Sequence, residues 1–231
     1  MHKAAKDVQQ AMQKMRKSYR EYYILKMDVS KYFNSIDKNI LYTILKKRIK
    51  DQKVLWIIKK ILTAQNRRIG IEIGNYTSQT FANIYLNEVD QYAKNVLKLK
   101  YYFRYMDDTV ILVKTKDEAK DALQKIREFL NVNLNLSLNN KTQIFKSKQG
   151  VNFCGYKINE YRMKVRDKGK KKFKKKVKKL LKDIKEGKVT SKDARVYLTG
   201  HIGYFETADT KKKKKRNIFL VDEIKKSKIF N

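Results

Sequence analysis

The sequence predicts a fold of the α/β (α+β) class: a small antiparallel sheet backed by helices, running on into a helical, lysine-rich C-terminal part. Three observations carry this. Runs of β-branched and aromatic residues recur at Tyr22–Val29 and on both sides of Met106–Asp107–Asp108. Between them, apolar residues fall at spacings of three and four, the helical period. From Asp167 onward the composition shifts to lysine. The expected organisation is a core over residues 1–160 and a basic helical part over 161–231.

In chain order, Lys3–Arg20 reads as an amphipathic helix with Ala4, Val8, Met12 and Met15 on one face. Tyr22–Val29 reads as a strand with Asp28 at its end. Asp37 is an N-cap candidate for a helix through Leu45, and Lys53–Leu62 predicts a second helix. Arg67–Ile73 partly alternates and predicts a strand. Gly74–Asn75 turns the chain into a long helix, Ser78–Leu97, with Phe81, Tyr85, Val89, Tyr92 and Val96 at helical spacing. Lys100–Tyr105 and Thr109–Lys114 predict a hairpin around Met106–Asp107–Asp108, where aspartate suits a left-handed turn position. Asp117–Leu130 predicts a helix, and Gln143–Lys146 and Val151–Ile158 predict strands. Phe173, Val177, Leu180, Leu181 and Ile184 form an apolar stripe on the cationic helix Lys168–Lys185, which Gly187 ends. Ser191–Tyr204 predicts a last helix, and Lys211–Arg216 is a run of six cations.

Composition narrows the partner. Hydrophobic residues make up 42% of the 231, enough for a packed core. Lysine and arginine number 57 against 23 acids, a net charge of +34. So large a charge implies a polyanion, first of all nucleic acid, because each phosphate neutralised releases counter-ions. No apolar run approaches the ~20 residues a membrane span needs, and no signal peptide is visible, so a cytoplasmic protein is expected. The single Cys154 excludes an internal disulfide and reads as a small buried hydrophobe. With only His2 and His201 besides, a Cys/His zinc site is disfavoured.

The chemistry sits in three acids. Taken singly, Asp28 is a strand-end cap and Asp107–Asp108 a solvated turn. Yet Tyr101–Tyr102–Phe103 and Tyr105–Met106 lead into the pair, and a buried strand delivering two adjacent acids needs something positive there. Carboxylates meeting at one sheet edge repel unless cations neutralise them. Mg²⁺ takes oxygen ligands and completes its shell with substrate phosphates. Two such ions about 3.5–4 Å apart are the apparatus of nucleotidyl transfer.

At this point the motifs resemble those of reverse transcriptases. Tyr105–Met106–Asp107–Asp108 is similar to the family's Tyr-x-Asp-Asp signature, and Asp28–Asp37 resembles its first aspartate motif. Gly74–Gln79 stands where the template- and nucleotide-contacting motif belongs. Leu138–Thr142 resembles the lysine-bearing motif and Phe153–Tyr156 the primer-grip hairpin. The five motifs occur in order over about residues 1 to 205.

The resemblance implies a right-hand palm with partial fingers over 1–160 and a thumb over 161–231. It also implies two Mg²⁺ ions held by Asp28, Val29 through its carbonyl, Asp107 and Asp108. Asp28 and Asp107 bind directly, and Asp108 supports the site. Phe33 matches a gate against the ribose 2′-OH, although core packing alone would also account for it. Ile73, Gly74 and Gln79 should border the incoming nucleotide, and Lys141 the pyrophosphate leaving group, although a lysine there also suits an exposed surface. Phe153, Gly155 and Tyr156, with Lys171, Lys175 and Lys178, should meet primer and template. Tyr105 reads as packing and His201 as structural.

The middle motif, Ile73–Gly74–Asn75 with Ser78–Gln79, is similar to that of diversity-generating retroelements. The expectation is an error-prone, bacterial or phage-encoded RNA-directed DNA polymerase. It would work with template RNA, an RNA–cDNA duplex, deoxynucleoside triphosphates and a small basic accessory protein. Retron and group II intron enzymes, and a non-enzymatic RNA-binding remnant, are the alternatives. Two departures stand out. Glu72 occupies a position where the family often has proline. The fingers sequence that usually precedes the first helix is missing, which predicts a truncated reading frame, a minimal enzyme or a segment supplied otherwise.

Overall fold

The computed structural model describes residues 2–64, 66–190, 192–194, 196–199 and 208. The chain divides into two compact units. One spans Ser18–Ser147; the other joins residues 1–17 to the chain from 148 onward.

The first unit is built on a four-stranded antiparallel sheet of order β2-β3-β1-β4. Its strands are β1 (Tyr23–Met27), β2 (Tyr102–Tyr105), β3 (Asp108–Val113) and β4 (Gln143–Lys146). In register, Tyr23 pairs with Val113 and Met27 with Thr109, so β1 runs antiparallel to β3. Alternation then sorts the side chains. Leu25, Met27, Ile111 and Val113 enter the main core, and Lys26, Asp28 and Asp108 fall on the opposite face.

Two helices supply the other side of that core. The first is α5 (Tyr76–Gln91), which contributes Phe81, Ala82, Tyr85, Leu86 and Val89. The second is α6 (Lys116–Leu134), capped by the Thr115 hydroxyl on Glu118 N, which contributes Ala119, Ala122, Ile126, Leu130 and Leu134. Each of the larger of these side chains adds about 1.5–3 kcal/mol by leaving water. Buried tyrosine hydroxyls find carbonyls: Tyr85 donates to Leu134 O at 2.7 Å and Tyr32 to Ala82 O.

Around this core lie α2 (Tyr32–Ser35), α3 (Lys38–Arg48) and α4 (Gln52–Thr63). Asp37 caps α3 as expected, accepting from the N–H groups of Asn39 and Ile40. Asp51 caps α4 in the same way. The strand expected at Arg67–Ile73 does not form; only Ile69 makes a bridge, with Asp37. The reason is Gly70 at φ +92°, which turns the chain so that its N–H reaches Ile36 O and the next reaches Phe33 O. The long helix also differs from expectation. After Gln91 it widens into a π-turn, Tyr92–Val96, with Leu97 N bonded to Tyr92 O, and this leaves Val96 exposed.

The second unit contains α1 (His2–Ser18) as far as Lys17, with a buried stripe through Ala5, Val8, Met12 and Met15, Ala5 taking the place of Ala4. A three-stranded sheet follows: β5 (Val151–Phe153), β6 (Tyr156–Ile158) and β7 (Met163–Val165). The Val151–Ile158 stretch is a hairpin in which Phe153 pairs with Tyr156, in keeping with the hairpin the resemblance implied there. Cys154 (φ +49°) and Gly155 (φ +81°) both adopt the left-handed region that a tight two-residue turn requires. Gln9 and Gln13 of α1 donate to Asn159 O and Glu160 O. Finally α7 (Asp167–Lys185) buries Phe173, Val177 and Leu180, and Gly187 at φ +68° follows its end. Residues 192–194 and 196–199 are helical, whereas His201 and Lys211–Arg216 lie outside the described residues. No described helix is long and apolar enough to cross a membrane.

Candidate active site

The acids predicted from sequence converge at one end of the first unit's sheet. Continuing the β1–β3 register one step beyond Met27–Thr109 sets Asp28 at the position facing Asp108. Asp107 is next to it in the hairpin turn. That turn is tighter than expected, since Tyr105 pairs with Asp108 and only Met106 and Asp107 lie between. The left-handed residue is Met106, at φ +56°, and not an aspartate. A side chain there costs about 1–2 kcal/mol, strain of the kind that collects at functional sites.

A partly buried ion pair holds the turn. Arg104 Nε donates to Asp90 Oδ1 at 2.7 Å and Nη2 to Oδ2, while Nη1 donates to Met106 O at 2.8 Å. The Arg104 and Asp90 side chains are only 11% and 17% exposed. The Tyr102 hydroxyl also donates to Asp90, at 2.8 Å. The hairpin tip is therefore tied to the end of α5 by the residue two positions before Met106. Asn83 of α5 adds a contact to the Met106 sulfur at 3.5 Å and accepts from Arg104 Nη1 at 3.4 Å.

Asp28 is clasped from the other side. Asn139 Nδ2 donates to Asp28 Oδ2 at 3.1 Å and Asn139 N to Asp28 O at 2.8 Å. The same Asn139 accepts from Lys141 N at 2.7 Å, which fixes the turn carrying that lysine. Val29 is bridged to Leu138 through Ser30 N and Asp28 O, so the Val29 carbonyl takes no part in those two bonds. Lys26, two positions from Asp28 on the same strand face, pairs with Asp108 at 2.5 Å.

Charge within the cluster is unbalanced. Burial, then the Asp107 and Asp108 carboxylates, raise Asp28's proton affinity above the ordinary carboxylate value; Lys26 and Lys141 act against this. Such carboxylates favour a cation. Among the described residues no three Asp, Glu, His or Cys side chains enclose an ion by themselves. The set fits a hard divalent ion that takes one or two carboxylates and fills the rest of its shell from substrate phosphates and water. Within the cluster Asp108 is paired with Lys26, and Asp28 accepts from Asn139.

The other predicted residues fall into two groups. Phe33 on α2 is half-buried, its ring edge-on to Tyr32 at 5.7 Å, and its carbonyl accepts from Ile71 N. Ile73 is 75% exposed, Gly74 has φ +107° in open space, and Gln79 is exposed one helical turn before Asn83. All of these share the first unit with the carboxylates. Phe153, Gly155, Tyr156, Lys171, Lys175 and Lys178 belong to the second. The Phe153 and Tyr156 rings are buried, as is Cys154 in the turn; the exposed side chains of this hairpin are Asn152 and Lys157. Lys171, Lys175 and Lys178 are exposed at spacings of four and three on α7. Tyr105, expected to pack, is 37% exposed on the sheet's edge strand.

Sequence reasoning missed Asp90, Arg104, Asn139 and Lys26. The signal for Arg104 and Lys26 was a lone cation inside an otherwise apolar strand. For Asp90 it was an acid beside the apolar stripe of a long helix.

Comparison with known proteins gives the family and the fold. A profile of the family described as reverse transcriptase (RNA-dependent DNA polymerase) matches residues 1–158. The chain is 27% identical to the putative COX1/OXI3 intron 2 protein of Saccharomyces cerevisiae, over 62% of this chain and 24% of that one. It is 25% identical to protein YkfC of Escherichia coli, over 59% of this chain and 46% of that one. A 91 kDa protein in a cob intron of Schizosaccharomyces pombe is 35% identical over 77 residues, 30% of this chain and 10% of that one. The chain thus spans less than half the length of the curated relatives it matches. Among solved structures, telomerase from Candida albicans, bound to a fragment of telomeric RNA, superposes with a TM-score of 0.56 at 13% identity, over 71% of this chain and 33% of that one. Apo telomerase from Candida tropicalis gives 0.56 at 16% identity, over 72% and 40%. At such identities the likeness is one of fold.

Proposed function

Since the chain belongs to the reverse transcriptase (RNA-dependent DNA polymerase) family, we propose that it extends a DNA primer along an RNA template. The observation that carries this is the convergence of Asp28 and Asp107 from distant segments at one end of the sheet. Asp28 and Asp107 would hold divalent ions, which would supply activation of the primer 3′-hydroxyl and neutralisation of the phosphates. The protein's own residues position and select. Asn139 orients the Asp28 carboxylate, and Arg104 fixes the turn that presents Asp107. Lys141, on the turn Asn139 closes, offers a positive charge to the departing pyrophosphate. Phe33, held by the Ile71 N–H bond, is the gate against the ribose 2′-hydroxyl. Ile73, Gly74 and Gln79 border the incoming base pair. In this reading residues 1–160 act as palm with partial fingers and 161–231 as thumb. Lys171, Lys175 and Lys178 contact phosphates of the RNA–cDNA duplex without reading sequence.

The finer reading is an error-prone enzyme of the diversity-generating type, because apolar Ile73 contributes no hydrogen bond by which a mispair could be rejected. An intron-type enzyme is the second reading, favoured by the two relatives named as intron proteins. The test is extension of a primed RNA template with Mg²⁺ and deoxynucleotides, by the wild type and by Asp107→Asn. Extension by the wild type alone supports the enzyme. RNA binding with no extension by either supports a non-enzymatic binding module. Sequencing the cDNA separates the subtypes: errors concentrated opposite template adenines support the first, and uniform low error the second.

A further inference from the structure

A second cationic feature of the first unit lies away from the carboxylates. A cavity of about 290 Å³ opens between the start of α3, the end of α4 and the segment after it. Four cations line it from three stretches of chain: Lys38, Lys59, Arg67 and Arg68. Asp37, the acid beside it, is already engaged, accepting from Asn39 N, Ile40 N and Arg68 Nη2 at 3.0 Å. Lys38 is only 8% exposed. Burial and then Arg67 depress its proton affinity, with Glu72 acting the other way. Positive charge is thus crowded in a hollow, an arrangement that an anion relieves. Asn39 and the aromatic residue Tyr42 also line it. Cations beside an aromatic ring are how proteins hold single-stranded nucleic acid, phosphate on the charges and base on the ring.

The cavity is also joined to the nucleotide-facing segment. Lys38 N donates to Arg68 O, Gly70 N to Ile36 O and Ile71 N to Phe33 O, so one stretch of backbone runs from the cations past Phe33 to Ile73 and Gly74. We propose that this cavity binds a backbone phosphate of the unpaired template strand, with the adjoining base against Tyr42. The inference rests on the polymerase reading, which places the incoming base pair at Ile73 and Gly74.

The test uses the full chain and two probes sharing one RNA–DNA duplex, the first with a single-stranded RNA template overhang and the second blunt. Lys59 and Arg67 are exposed, so the double variant Lys59→Gln/Arg67→Gln keeps the fold, checked by its melting temperature. The control, Lys46→Gln/Lys47→Gln, removes equal charge from exposed positions of α3 outside the cavity. For the cavity variant, roughly tenfold weaker binding of the overhang probe is expected, with a log–log salt slope shallower by about 0.7 per phosphate released. Its binding of the blunt probe should be unchanged. Equal loss on both probes, the same loss in the control, or no wild-type preference for the overhang would overturn the proposal. So would a raised KM for deoxynucleotides with overhang binding intact, which would assign the cavity to a free triphosphate. The binding comparison decides the cavity even where the wild type extends no primer, a result that would count against the polymerase reading alone.

Discussion

At the scale of single residues, the acids were legible and their supports were not. Asp107–Asp108 stand out because adjacent acids close an aromatic strand. Arg104 acquires meaning only when the β2–β3 register is known and Asp90 of α5 is alongside. Removing one member of this pair leaves a largely desolvated charge alone. Arg104→Ala should therefore cost about 3 kcal/mol of stability. It should also lower kcat for primer extension roughly a hundredfold with little change in KM, a split expected when a positioned group is displaced from its working geometry. Arg104→Lys keeps the charge but loses the forked geometry, and should restore stability better than activity. Thermal melts beside steady-state kinetics would show it. Asp28 behaves in the opposite sense. Its proton affinity is raised by burial and by Asp107 and Asp108, so its ionised form opposes folding in the absence of metal. Asp28→Asn should abolish extension while leaving the metal-free melting temperature unchanged or higher, and a clear drop in that temperature would contradict the account.

Elements followed the sequence where a periodic pattern had a cap to bound it and departed where a glycine set the path. α3 begins at Asp37 as expected because a short acid before an apolar period is a strong start signal. Arg67–Ile73 alternates like a strand but is not one, since Gly70 turns it back onto Ile36. A Cβ at Gly70 would sit 3.2 Å from Asn34 O, in a backbone region side chains avoid. Gly70→Ala should cost about 1–3 kcal/mol. It should also weaken sugar discrimination, because the Ile71–Phe33 bond is adjacent; rates with ribo- and deoxynucleotides would read this out. Asp37 carries a pH signature. Burial would raise its proton affinity, but bonds from Asn39 and Ile40 and the pair with Arg68 outweigh it and leave the carboxyl below its ordinary value. Its contribution is thus complete above about pH 4, the unfolded value, and is lost as pH falls through the depressed folded one. Asparagine caps a helix nearly as well. Asp37→Asn should therefore flatten the acid limb of a stability–pH profile without removing α3.

Across the whole molecule, composition points to a polyanionic partner, and the proposed function would supply one. The two-unit division was not legible, because α1 groups in space with residues from 148 onward, a relation no local pattern encodes. With a net charge of +34, affinity for primed RNA should fall by about 10³-fold or more between 50 and 200 mM salt if six or more phosphates are contacted, measurable by fluorescence anisotropy. The sheet order has a temporal consequence. β1 lies between β3 and β4, strands synthesised long after it, so both of its ladders close large loops, the slow kind of step in folding. A nascent chain holds Asp28 early and keeps it far from its repulsive neighbours until β3 docks. The Asn139 clasp then arrives on the segment that leads into β4. The carboxylate site is thus among the later parts of the unit to exist, complete only after Asn139 has been synthesised.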